Sequence, residues 1–409
     1  MTGPTDLPTL PDARFAGLLA EAKALQEQTV ALRRELHRHP EEGLELPLGQ
    51  AAILKALDGL PLEITLGKAT TSVTAVLRGG KPGPAILLRG DMDALPLQED
   101  TGLDFASETD GTMHACGHDT HVAMLVSAAK LLSAHVEELA GSIVFMFQPG
   151  EEGYHGARHM IHEGVLEAAG TRVEQVFGLH IYNEARSGVV RTRPGPIMAS
   201  ADSFAVWVTG KGGHGSAPHQ AIDPVPAAAA MVGALQTMIT RRVSVFEPAV
   251  VSVTKITAGT TTNIIPETAE LEGTIRTLSE RTRALVRAEI PKVCEAIGAA
   301  HGCRVAVEIT PGYPVTINND KVARHVLTLA ADVLGAANAE LMADPIMGAE
   351  DFSYLLQRVP GAFAFIGGCP PEIDLADAAP NHSNRVIFDE AAMANGVAMH
   401  AAFALDALR

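Results

Sequence analysis

The chain has 409 residues, more than the about 250–300 at which a single hydrophobic core stops growing, so two domains are expected. It is 47% hydrophobic and 19% charged, which excludes a disordered chain, and its net charge of −17 repels phosphate backbones and argues against nucleic acid as a partner. No apolar run reaches the about 18 residues of a spanning helix, so no membrane association is expected, and Met1–Leu18, interrupted by Pro4, Pro8 and Pro11, has neither the basic nor the apolar part of a secretory signal.

Residues from about Asp12 to Leu36 place Phe15, Leu18, Leu19, Ala22 and Leu25 near a 3.6 spacing and predict a helix, stopped by Pro40. Four short apolar runs with strand character follow, at 72–77, 85–88, 143–147 and 173–179. The first two lie close enough to predict a hairpin, and residues 120–134 predict a helix between the second and third. Strands alternating with helices predict an α/β domain with a mainly parallel sheet. Near Ala199 the pattern changes to a strand at 203–208, a proline-opened helix at 224–240, strands at 249–257 and 268–277, a helix at 280–300 and a strand at 304–309. That order, βαββαβ, describes a ferredoxin-like α+β sandwich. After Pro311 the α/β character returns, with a helix at 322–334, a helix after Glu350 and a strand at 362–366. The expected organisation is a catalytic domain in two parts, 1–198 and 312–409, with residues 199–311 inserted between them.

Metal-competent side chains recur just beyond these apolar runs. The segment His114-Ala115-Cys116-Gly117-His118-Asp119-Thr120-His121 is the densest; Glu151-Glu152, His180 and Asn381-His382 come later, and Asp91-Met92-Asp93 earlier. In an open α/β sheet, sites form outside the carboxyl ends of the strands, so residues delivered there repeatedly can converge. Thiolate and imidazole suit zinc and its neighbours, and carboxylate extends the choice to manganese. Cys116, His118, Glu152, His180 and His382 exceed what one catalytic zinc takes, but suffice for two ions if one ligand bridges. Of the adjacent glutamates on one loop, one can bind metal while the other carries a proton between water and a leaving amine.

Each piece alone has a plainer reading. A free cysteine is usually a small core residue, a single histidine is usually hydrogen-bonded structure, and a Glu-Glu pair is usually solvated. Their joint placement reverses those odds. The four cysteines, Cys116, Cys294, Cys303 and Cys369, form no Cys-x-x-Cys pair and no disulfide framework, which fits a reducing cytoplasm. Two local patterns are set aside. Arg89-Gly90-Asp91 leaves a buried strand. Gly210-Lys211-Gly212-Gly213-His214-Gly215 satisfies G-x-G-x-x-G, but Ser216-Ala217-Pro218 follows where a dinucleotide site needs a helix.

At these residues, from Leu36-His37-Arg38-His39-Pro40-Glu41 to Asn381-His382, the chain resembles the amidohydrolase branch of the M20 metallopeptidases. That branch includes hippurate hydrolases, aminoacylases and indole-acetyl-amino-acid hydrolases. The resemblance implies a dinuclear catalytic domain with an inserted lid. Cys116, His118, Glu152, His180 and His382 match its metal ligands, with Cys116 where many relatives place a bridging aspartate. Glu151 matches the general acid/base, and Asp93 a carboxylate behind the ligands that orients one of them. His214 matches a lid histidine supporting the oxyanion, while Asn263 and Arg276 match groups holding the substrate carboxylate. Glu350 falls in a family motif without an assignable role. The implied activity is hydrolysis of an N-acyl or N-aroyl amino acid, with two divalent ions per subunit, zinc or manganese, in a homodimer paired through its lids. A dipeptidase on the same fold, a non-catalytic binding protein and a nicotinamide-dependent oxidoreductase are the rivals.

Overall fold

The computed structural model describes residue 15 and residues 17–409. The stretch read above for a leader and the first residues of the helix expected from Asp12 lie outside the described residues. The chain divides into two compact units: residues 1–197, 317–344 and 354–409 form the first, and 198–316 with 345–353 the second.

The first unit is built on an eight-stranded sheet in the order Leu62–Leu66, Val73–Arg78, Ala140–Gln148, Lys81–Asp91, Val173–Arg186, Gly361–Cys369, Val190–Thr192 and Ala339–Leu341. The sheet is mixed. Its four central strands are mutually parallel, and antiparallel pairs flank them on both sides. Parallel strands covered on both faces read as continuous apolar runs rather than alternating ones; Ile143–Phe147 and Ile86–Leu88 are all fully buried. The helix His118–Ala134 is buried on nearly every face, and it lies in one apolar core with the helix Ala392–Ala407 and the strands.

Several expectations are corrected. The runs at 72–77 and 85–88 are not a hairpin. Ala140–Gln148 lies between them, antiparallel to the first and parallel to the second, and residues 79–81 hydrogen-bond to residues 136, 139 and 141 instead. The N-terminal helix is two helices, Leu18–Ala24 and Gln26–Arg38, meeting at Leu25. The helix after Glu350 is the single turn Ser353–Leu356. The strand read as ending at Leu179 continues to Arg186, so His180 lies within it, paired with Phe365. Pro47–Leu57 and Ala392–Ala407 are helices that sequence pattern did not reveal. The second of these is Ala- and Met-rich and buried all round, so it has no polar face to display a period.

The second unit has the βαββαβ order read from the sequence. Its antiparallel sheet runs Ala249–Ala258, Thr268–Thr277, Asp202–Thr209, Arg304–Thr310. Strict alternation buries Phe204, Val206 and Val208 against Met231, Leu235, Val286 and Ile290 of the helices Pro224–Arg242 and Glu280–Ala300. Within the described residues, no helix is long and apolar enough to cross a membrane.

Candidate metal centre

The polar residues gather at the carboxyl ends of the parallel strands. Asp93, just past Lys81–Asp91, binds the turn after Ala140–Gln148: its Oδ1 accepts the Glu151 N–H and its Oδ2 the Glu152 N–H, each at 2.9 Å. Its backbone carbonyl accepts from His118 Nδ1 at 2.8 Å, which fixes a proton on Nδ1 and turns Nε2 toward the other candidate ligands. His180 follows the same logic. Nδ1 donates to the Ile181 carbonyl at 2.6 Å, and Nε2 lies 3.3 Å from Cys116 Sγ. His382 Nε2 lies 3.2 Å from Cys116 Sγ and 3.3 Å from Glu152 Oε1, and His118 Nε2 lies 3.9 Å from that oxygen. A carboxylate oxygen of Glu151, itself 5% exposed, is within 4.8 Å of the donor atoms of His118 and Glu152. All seven residues named from sequence for this part of the site therefore meet in the first unit.

Local folding explains the convergence. Gly117 has φ +86°, and a Cβ there would come within 2.3 Å of Ile181 Cγ2, so only glycine lets Cys116 and His118 turn into the site. Asn381 Nδ2 donates to the carbonyls of Cys116 (3.1 Å) and Ile181 (3.0 Å), and the His382 N–H donates to the Ala115 carbonyl at 2.9 Å. His382 is itself left-handed, at φ 69°.

Two residues of the metal-competent segments were given no role in the sequence reading. Asp91 and His121 lie close enough to His118 and His180 to belong to a metal cluster. Yet both His121 nitrogens are already used: Nδ1 donates to Asp91 Oδ1 at 2.5 Å, and Nε2 accepts the Ile181 N–H at 2.7 Å. Asp91 Oδ2 accepts from Arg89 at 2.6 Å. They frame the candidate ligands. The available signal was spacing, since His121 is one helical turn from His118, and Asp91 ends the strand two residues before Asp93.

Electrostatics favour a cation here. Burial, then Glu152, pushes the Cys116 thiol up. His118 is buried, which works against its charge, yet Asp91 and Cys116 hold its pKa well above the ordinary value. Hydrogen bonds to Cys116 and Glu152 push His382 up to about 10. Burial, with His121 beside it, keeps His180 neutral. His118 Nε2 and Glu152 Oε1 are buried without a hydrogen-bond partner, an arrangement that is costly unless something else binds them. A set of one thiol, three imidazoles and one carboxylate fits borderline divalent ions.

The other sequence-named residues lie in the second unit. His214 and Ile264 are partners in the short pair Gly213–His214 with Ile264–Ile265, and the Gly215 N–H donates to the Asn263 carbonyl at 2.9 Å, so His214 and Asn263 are brought together. Both are exposed, and His214 Nδ1 accepts the Ser216 N–H at 3.1 Å. Arg276, on Thr268–Thr277, is half-buried and donates to Thr274 Oγ1 at 2.6 Å. Glu350 is buried, and its Oε1 accepts the Phe352 N–H at 2.9 Å.

The sequence profile of Peptidase family M20/M25/M40 matches residues 87–406. The chain belongs to this family. It is 38% identical over 395 residues to thermostable carboxypeptidase 1 of Saccharolobus solfataricus, covering 94% of this chain and 96% of that one. It is 38% identical over 346 residues to N-acetylcysteine deacetylase of Bacillus subtilis, covering 84% and 89%. Among solved structures it resembles the Bacillus subtilis YXEP protein, a dinuclear metal binding peptidase of the M20 family, with a TM-score of 0.81, 34% identity and coverage of 94% and 99%.

Proposed function

We propose that this M20 enzyme hydrolyses the amide bond of N-acyl or N-aroyl amino acids, releasing a carboxylic acid and a free amino acid. The observation that carries the reading is the meeting of Cys116, His118, Glu152, His180 and His382 around two buried atoms, His118 Nε2 and Glu152 Oε1, that make no hydrogen bond, with Glu151 beside them. The five would hold two divalent ions, zinc or manganese. Such a pair supplies Lewis acidity, which polarises a carbonyl and makes water a better nucleophile near neutral pH.

The chain's own groups do the rest. Asp93 holds the N–H groups of both Glu151 and Glu152, fixing one carboxylate as ligand and the other as proton carrier. Glu151 takes a proton from the attacking water and returns it to the departing nitrogen. His214 supports the charge that develops on the carbonyl oxygen. Arg276 and Asn263 hold the α-carboxylate of the amino-acid half. The two curated relatives support this choice by their names, since a deacetylase of N-acetylcysteine and a carboxypeptidase both cut an amide on the nitrogen side of an amino acid.

In this reading residues 199–311, within the second unit, act as a lid and pair with their copy in a cytoplasmic homodimer in which His214 completes the partner's site. Mixing tests it. Heterodimers of His214→Ala and Glu151→Gln would regain one intact site each, roughly a quarter of wild-type activity after statistical mixing. Absence of recovery in verified heterodimers would place His214 elsewhere.

The substrate reading is tested by zinc- or manganese-loaded protein assayed for amino-acid release from N-acetyl, N-benzoyl, long-chain acyl and indole-acetyl amino acids and from dipeptides. Release from acylated substrates that exceeds release from dipeptides is expected, and should vanish with chelator. Dipeptides as the sole substrates would make the enzyme a dipeptidase.

A further inference from the structure

Among the described residues, the non-glycine residues with positive φ are His155 and His382. His382 is a candidate ligand. His155 is not, yet it stands three residues after Glu152, at φ 59°, ψ 37°. A left-handed backbone is unfavourable for any residue with a Cβ and persists where the surroundings over-determine it. Glycine would fit this position without strain, so a histidine there points to use of its side chain.

That side chain has a specific partner. His155 Nδ1 is 3.0 Å from Tyr354 Oη, a bond spanning 199 residues of sequence within the first unit. The rings lie 6.0 Å apart at 56°. Both residues are half-buried, so the bond is partly shielded from water. His155 also closes the turn that carries the two glutamates. The Gly153 N–H donates to the Glu151 carbonyl at 2.8 Å, and the Gly156 N–H to the Gly150 carbonyl at 2.9 Å. A Cβ on Gly156 would lie 1.6 Å from the Pro149 carbonyl oxygen, so the ring of residues 149–156 is drawn tight at its base. The His155 carbonyl then accepts from Arg158 and His159, opening the helix Gly156–His162.

The Glu151–Glu152 turn is thus held at its start by Asp93 and at its end by His155. We propose that His155 and Tyr354 form a clamp of positioning residues that sets the direction of Glu151 and Glu152. This inference rests on the reading of Glu151 as proton carrier and Glu152 as ligand. The tyrosine hydroxyl fixes the imidazole, the imidazole fixes the left-handed residue, and that residue fixes the path of the turn. Small misplacement of a reacting group lowers turnover more than it lowers binding, because substrate contacts made elsewhere survive.

The test uses the full-length, zinc-loaded protein and reads both peptide-level hydrogen exchange over residues 149–156 and steady-state kinetics. Tyr354→Phe should raise exchange in that segment, leave zinc content unchanged, and lower kcat about tenfold with KM nearly constant. His155→Leu should do the same or more. His155→Asn should be close to wild type, because asparagine tolerates the left-handed region and carries a polar atom at the δ position. If Tyr354→Phe leaves both exchange and kcat within about twofold of wild type, or if the asparagine variant is as damaged as the leucine variant, the clamp is wrong. Should the wild-type protein cleave no acylated amino acid at all, the functional reading fails, while the exchange measurement still decides the clamp.

Discussion

The two units treat their functional polar groups in opposite ways. In the first, His118, His180 and Cys116 are at most 7% exposed, and the non-ligating nitrogens of both histidines are fixed by backbone carbonyls before any ion or substrate arrives. In the second, His214 and Asn263 are exposed on a short two-strand ribbon, and Arg276 is half-buried beside Thr274. Burial with pre-set tautomers makes the first a site already organised for an ion. Exposure keeps the second group solvated, so its contribution depends on what a substrate brings to it. Damage in the first unit should therefore be large and independent of substrate, and damage to the carboxylate-holding groups of the second, Arg276 and Asn263, smaller and substrate-specific.

The largest effect is expected at Cys116, whose sulfur is approached by both His180 and His382. Cys116→Ala should lower metal content and activity by orders of magnitude for every substrate. Elemental analysis finding full metal in the folded variant would remove Cys116 from the centre. Next come the two glutamates. Glu151→Gln should keep its metal and lose about 10²–10⁴ in kcat, the usual contribution of a positioned acid–base group. Glu152→Gln should lose metal, because the oxygen it alters lies 3.3 Å from His382 Nε2. The reverse pattern would exchange their roles.

A smaller and selective loss is expected from the second unit. Burial lowers the Arg276 pKa, but a guanidinium remains charged, and substrate can share it with Thr274. Arg276→Ala should cost about 2 kcal/mol, roughly thirtyfold in kcat/KM, for N-acyl amino acids, and much less for the corresponding amino-acid amides, which lack the anion. Equal losses on both would make Arg276 structural and erase the contrast between the units.

How much of this could be read from sequence follows the same division. The βαββαβ unit was legible because its strands alternate over a one-sided core: Phe204, Val206 and Val208 point in, while Ser203, Ala205 and Trp207 do not. The convergence of Cys116, His118, Glu152, His180 and His382 was legible because their types are scarce and each follows an apolar run. The insertion of Ala140–Gln148 between two neighbouring strands was not, since runs buried on both faces carry no register. Nor were the fates of His118 and His121. The two imidazoles are one turn apart on a helix, and only the Asp93 carbonyl and the Ile181 N–H, both remote backbone groups, turn one Nε2 toward the candidate ligands and occupy the other.

The smallest predicted effect concerns a buried charged cluster that stands beside the centre and gives nothing to it. Asp119, next to His118, is ion-paired with Arg33 at 2.7 Å and accepts from His37 at 2.8 Å, and His37 Nε2 lies 3.3 Å from Glu99. Burial works against the His37 charge, but Asp119 and Glu99 outweigh it and raise its pKa above the ordinary 6.5. A histidine whose folded-state pKa is raised stabilises the fold fully below its unfolded pKa, and that contribution is lost as pH rises through the folded pKa. His37→Asn should therefore lower the melting temperature more at pH 6 than at pH 9, with the difference from wild type narrowing across that interval. Thermal denaturation of metal-free protein isolates this from ion binding. A difference that does not change with pH would mean that His37 is neutral in the fold, and that the cluster is held by Arg33 and Asp119 alone.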